Sequence, residues 1–195
     1  MPGSNLPLAM LGALMLMFGW FGFNGGSALA FDGRVPGIIA NTVLAAIAGT
    51  LGGMIMSWLR WRLVDPVYPL NGLIAGMVAV TAGAHVVDAG ASVLIGLGGA
   101  VVMYFADRLL THLRIDDAVG AVPVHLAAGV WGTLAVALFG DLTLLGTGLT
   151  RFEQLIAQLE GILVAALWGF GLTWILLRSI NRFWPMRVTA EAERQ

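Results

Sequence analysis

Apolar residues run along this chain in long unbroken stretches, and the charged residues collect between them. Six such stretches follow one another: Leu6 to Ala30, Ile38 to Leu59, about Leu70 to Val87, Ala91 to Leu110, a fifth from after Asp116 and Asp117 to Phe139, and about Gln154 to Leu177. Arg60 and Arg62 close the second, Arg108 and Arg114 the fourth, and Arg178 and Arg182 the last, while Asn71 opens the third after Pro66 and Pro69. Each is close to the roughly 20 helical residues that cross about 30 Å of hydrocarbon. Outer-membrane strands would alternate apolar and polar residues at period two. These stretches do not alternate, so the pattern predicts an all-α polytopic membrane protein with six transmembrane helices. It places a membrane domain over residues 1–185 and a short cytoplasmic tail over 186–195.

Composition agrees. The 195 residues are 58% hydrophobic and 11% charged, against about 45 to 50% and about 25% in soluble domains. A mean hydropathy of +0.88 is opposite to the signature of unfolded chains. The net charge is -1 and all ten basic residues are Arg, which leaves no clustered positive face for nucleic acid. With no Cys in the chain, disulfides, thiolate metal sites, iron–sulfur clusters and cysteine nucleophiles are excluded.

Arginines near span ends are retained on the cytoplasmic side. Eight of them (Arg60, Arg62, Arg108, Arg114, Arg178, Arg182, Arg187 and Arg194) fall on one side, and two, Arg34 and Arg151, on the other. The expectation is a multi-pass protein of the cell (inner or plasma) membrane with both termini cytoplasmic. Ala28-Leu29-Ala30 resembles a signal-peptide cleavage site, but no positive residue precedes the apolar run and the run exceeds a signal core.

Ionisable groups within spans are the strongest functional pointers. His125 lies inside the fifth span, well away from either mouth. Helical spacing puts Ala128, Gly129 and Gly132 on its face, and Pro123 frees a backbone carbonyl just before it. A satisfied inter-helix hydrogen bond and a pore or proton-handling role both suit such a histidine. Trp20, Phe23 and Ser27 share one face near the end of the first span, an aromatic patch with a hydroxyl that suits a small cation; an interfacial aromatic belt explains it equally. Asp116 and Asp117 are read as a cytoplasmic helix cap. His85 and His112 sit near span ends, and the role of Glu160 stays open. No Ser/His/Asp grouping, HExxH or paired-carboxylate arrangement supports hydrolysis, so no enzyme, metal site or cofactor is expected. Glycines at helical spacing, Gly49 with Gly53, Gly72 with Gly76 and Gly129 with Gly132, predict close helix packing.

The segments Gly19-Trp-Phe-Gly-Phe-Asn-Gly-Gly-Ser27, Asn41-Thr42, Asn71-Gly-Leu-Ile-Ala-Gly-Met-Val-Ala-Val-Thr81, Asp116-Asp117 to His125, and Gly129-Val-Trp-Gly132 resemble the second half of the ammonium transporter (Amt/Mep/Rh) family in order and spacing, from about Leu6 to Glu193. The resemblance implies the sixth to eleventh membrane helices of a homotrimeric channel with one pore per subunit. It implies Phe23 as one of two stacked gating phenylalanines, Ser27 as a hydroxyl of the outer recruitment site, with Trp20 and Phe21 as recruitment or gating support, and His125 as the second of twin pore histidines. Partners so implied are ammonium or ammonia, the lipid bilayer, a first-half partner chain and a cytoplasmic regulator. The chain departs from the family pattern at Gly120, where Asp is usual, at Ala82, where Pro is usual, and in a tail that ends early.

Holding an ammonium-sized charge at the bilayer centre costs at least about 2.5 to 3.5 kcal/mol, whereas cation–π contacts return only about 0.5 to 2. Aromatic rings therefore recruit the cation at the mouth but do not carry it through an apolar lumen. It must shed its proton, and imidazole titrates near neutrality. The expected function is ammonium transport by recruitment, deprotonation and ammonia passage past His125, in a piece lacking the first repeat. Alternatives are the membrane part of an ammonium sensor fused to a signalling domain, or a non-conducting fragment.

Overall fold

The computed structural model describes residues 5–186 and Ala192; of the expected 186–195 tail, everything but Met186 and Ala192 lies outside the described residues. The helices are α1 (Leu6–Gly26), α2 (Val35–Trp61), α3 (Val67–Thr81), α4 (Ala89–His112), a π-helical turn (Val122–Ala127) running directly into α5 (Ala128–Phe139), the short α6 (Leu142–Leu145) and α7 (Arg151–Phe183). Among the described residues five helices, with Val122–Phe139 taken as one, are long and apolar enough to cross a membrane, and α3 is a shorter apolar helix. The chain divides into two compact units, Met1–Leu155 and Ile156–Gln195. The second unit holds most of α7, including Glu160.

Within the first unit the ends are set by local chemistry. Asn5 caps α1 by accepting from the Leu8 N–H at 3.0 Å, and Asp88 caps α4 by accepting from the Ala91 N–H at 2.7 Å, each satisfying an orphan amide of the first turn. At the end of α2, Arg62 takes a left-handed conformation with φ 56°. Ser57 then ties the loop down, donating to the Leu63 carbonyl and accepting from the Asp65 N–H. His85 lies in the turn after α3 and His112 ends α4, both exposed.

The core is glycine against backbone. A Cβ on Gly49 would land on the Gly72 carbonyl oxygen, and a Cβ on Gly72 on the Gly49 carbonyl oxygen. Helix α4 uses three glycines for three neighbours: Gly96 meets α2 at Ala45, Gly99 meets α3 at Ala75, and Gly98 leaves room for the Trp131 indole of α5. That indole donates to the Ile95 carbonyl at 2.9 Å. The Gly96-Leu97-Gly98-Gly99 run is thus packing, and Trp131 is a docking residue between α4 and α5.

The structure corrects the third span. Helix α3 stops at Thr81, and residues 82–86 are turns, where a helix to Val87 was expected. Non-helical backbone at membrane depth needs donors from protein, and Asn41 supplies them. Its Nδ2 donates to the carbonyls of Ala84 at 3.0 Å and Val87 at 2.8 Å, while the Asp141 N–H donates to the Val86 carbonyl. The last span is longer than expected, since α7 runs from Arg151 to Phe183.

Both arginines that oppose the charge bias have local partners. Arg34 pairs with Asp32 at 2.8 Å, and its guanidinium holds the Asp32 carboxyl below the usual range. Arg151 donates through one nitrogen to the carbonyls of Ala137, Leu138 and Gly140 at 3.0, 3.3 and 3.1 Å, capping the C-terminus of α5, where a cation also meets the negative end of the helix dipole. Arg151→Met is therefore expected to lower stability by about 1 to 2 kcal/mol, read as thermal unfolding in detergent, whereas Arg34→Met leaves the midpoint unchanged because its ion pair is solvent-exposed.

Candidate functional site

Pro123 cannot donate an N–H, and the helix around it widens into the π turn Val122–Ala127. The Ala128 N–H accordingly reaches back five residues to the Pro123 carbonyl. Such bulges recur at functional sites. The turn interrupts the 3.6-residue count that groups His125 with Ala128, Gly129 and Gly132. Ala128 and Gly132 are buried and His125 is exposed. Gly132 abuts the Ala79 carbonyl of α3, whereas Gly129 makes only ordinary contact with Val78, so one glycine of that expected pair carries the close approach.

His125 meets the first helix on this open side. Its ring stacks on Trp20 with centroids 6.5 Å apart and planes 21° apart. Trp20 in turn meets Phe23 edge-on at 6.0 Å, and its indole N–H donates to the Thr81 hydroxyl at 2.8 Å. Among the described residues neither imidazole nitrogen of His125 has a hydrogen-bond partner. The inter-helix hydrogen bond that would satisfy this histidine is thus not made within the described residues.

Phe23 is 60% exposed, on the same side as Trp20. Ser27 forms the C-cap of α1 and is exposed; its hydroxyl donates to the Phe23 carbonyl at 2.7 Å, which spends the proton and leaves oxygen lone pairs to accept from a cation. The structure separates Phe21 from this group. Its ring meets Phe18 at 6.4 Å, and it lines an apolar pocket with Gly25, Leu29, Phe31 and Val35. Trp20 stands between Phe23 and His125, in ring contact with both.

At the far end of the π turn, Asp117 accepts from the N–H groups of Ala121 and Val122 at 2.9 and 2.8 Å. It caps the helix start, where a negative charge also meets the positive end of the dipole. Asp116 is exposed beside it. Gly120 has φ +70°, and a Cβ there would crowd the Asn71 amide nitrogen. A left-handed backbone and a close neighbour both favour glycine at this position.

Two polar groups were not legible as partners from sequence. Thr81 and Trp20 lie 61 positions apart, with no spacing signal to join them. Asn24 is buried and donates to Thr42 at 3.0 Å. Because the Thr42 proton goes to the Ile38 carbonyl, the Asn24 amide nitrogen must face Thr42, and its Oδ1 is left without a donor among the described residues.

A Synechocystis protein is 47% identical over 191 residues, 98% of this chain and 35% of that protein. "Ammonium transporter Amt2" of Archaeoglobus fulgidus is 38% identical over 203 residues, 98% of this chain and 43% of the relative. A solved structure named "Sensor Amt Protein" superposes with a TM-score of 0.93 at 36% identity, covering 98% of this chain and 48% of that one. The chain therefore spans between a third and a half of the length of these relatives. The family model described as "Ammonium Transporter Family" matches residues 1–195, and on that match, with the helical architecture and the relatives agreeing, the chain belongs to the ammonium transporter family.

Proposed function

We propose that this chain is the second-half membrane unit of an ammonium transporter and forms one wall of a pore that a first-half partner completes. Residues 1–185 are its membrane part and 186–195 a tail, and the arginine bias sets both ends of the chain in the cytoplasm. Ammonium is recruited at the outer mouth near Ser27, passes the Phe23 gate after or while losing its proton, and moves as ammonia past His125. The observation that carries this is the pairing of Trp20 with an imidazole whose nitrogens have no hydrogen-bond partner among the described residues. Splitting the cation avoids the cost of carrying charge through apolar surroundings, and the imidazole is the group that handles protons near neutral pH.

Transport takes precedence over the sensing alternative because the sequence relatives are named for transport, although a similar solved structure carries a sensor name. The test is ammonium-driven pH change inside proteoliposomes. The expected result is no flux with the 195-residue chain alone and measurable flux when it is co-reconstituted with the first half of a relative. Absence of flux with the partner, where the intact relative conducts, overturns the proposal.

A further inference from the structure

We infer that the end of α2 binds one phospholipid with a net negative headgroup, its phosphate held by the guanidinium groups of Arg60 and Arg62 beside the Trp61 and Trp58 indoles.

The local winding builds the site. Arg62 leaves the helix with a left-handed φ of 56°, while its N–H still donates to the Trp58 carbonyl at 2.8 Å. Its guanidinium lies over the Trp58 ring, 4.8 Å from the centroid. Arg60 lies over the Trp61 ring at 5.0 Å. Residues 58–62 thus carry two interleaved pairs of arginine on indole. Both are anchored. Trp61 meets the Tyr68 ring at 5.1 Å, and the Tyr68 hydroxyl donates to Asp107 of α4 at 2.7 Å. The buried Ser57 bonds the following loop at Leu63 and Asp65. A site held in place before its ligand arrives loses less freedom on binding.

The charges select the ligand. A guanidinium lying on a ring face still presents its N–H edge, and that edge matches the oxygens of a phosphate. The acid nearest in sequence is committed to the next helix: Asp65 accepts from the Val67 N–H at 3.0 Å. Two neighbouring cations favour a headgroup that carries no cation of its own.

The apolar surroundings make the ligand a lipid rather than a free anion. Leu59, Leu63 and Val64 are exposed beside the two arginines, and so are both indoles. Indole rings at the end of a span sit at the headgroup level, and an arginine there lays its stem along apolar surface while its charged head reaches the phosphate. A soluble anion would leave those apolar side chains in water, whereas acyl chains cover them. On the orientation proposed above, the site faces the cytoplasmic leaflet.

The test titrates the full chain, in a neutral detergent, with phosphatidylglycerol and separately with phosphatidylcholine, and reads the first bound lipid by native mass spectrometry. Phosphatidylglycerol is expected to bind more tightly. Arg60→Gln and Arg62→Gln are each expected to weaken it about fivefold, the scale for one basic residue at an anionic membrane surface. Both side chains are exposed, so these substitutions leave the fold intact. Arg34→Gln, at the opposite end of α2 and already paired with Asp32, is expected to change nothing. The double variant Arg60→Lys with Arg62→Lys keeps both charges but loses the planar fork, and is expected to bind as weakly as the glutamine variants. Equal binding of the two lipids overturns the inference, and so does unchanged binding in the glutamine variants. Full binding in the lysine variant overturns it too, since general charge attraction then suffices. Displacement of the lipid by inorganic phosphate would make this a free-anion site, and also overturns it.

Discussion

Replacing His125 with alanine is expected to cut ammonium flux through the completed pore by about 100-fold or more, the usual scale for losing a positioned proton-handling group. The chain should still fold, because the side chain is exposed and it stacks on the Trp20 ring rather than filling the core. The loss arises from energetics rather than architecture. Without a group to take and return the proton, the cation faces the full cost of entering apolar surroundings, which the Phe23 and Trp20 rings offset only in part. His125→Ala flux equal to wild type at matched protein density would remove the proton-handling assignment. His125→Glu gives a second reading: a carboxylate stabilises a cation in the lumen, so flux that persists and becomes sensitive to membrane potential supports the same site.

The largest structural effect is expected from Gly72→Ala. Overpacking usually costs about 1 to 3 kcal/mol and more when nothing can move aside. Here the new Cβ meets the Gly49 carbonyl of the facing helix, and Gly49 presents the same problem to Gly72. Neither side has a flexible side chain to yield, so α2 and α3 must separate along their crossing. A loss of about 3 kcal/mol or more follows, measured by denaturant unfolding in detergent. Gly12→Ala in α1 is the control. Nothing lies within 4 Å of a Cβ there, and the better helix propensity of alanine, about 1 kcal/mol, acts alone. Equal midpoints for Gly72→Ala and wild type would show that the α2–α3 contact does not hold the fold.

Much of the fold was legible because lipid leaves few options. An apolar run of about 20 residues must satisfy its own backbone, which makes it a helix. This reading placed α1, α2, α4 and α5 within a few residues of their ends. It failed at α3, because Thr81 to Val87 is as apolar as a helix but has its carbonyls held by Asn41, 43 and 46 positions away. The glycine pairs were read correctly at Gly49 and Gly72, where small residues mark close approach, and overread at Gly129. The face assigned to His125 rests on a similar assumption. A period of 3.6 residues assumes an α-helix, and the π turn after Pro123 breaks that count.

Taken by itself, the sequence determined that this is a helical multi-pass membrane protein with an ionisable group inside one span, because hydropathy is a property each residue carries without its neighbours. Its motifs also pointed to the family. The tertiary structure decided which side chains meet: Trp20 on His125, Thr81 on Trp20, Asn41 on the turn after α3, and Arg151 on the end of α5. Those pairings join residues far apart in the chain, and they depend on helix crossings set by glycine contacts and on a register shifted by one proline. No local pattern encodes such a meeting, since its energy exists only once the helices have packed.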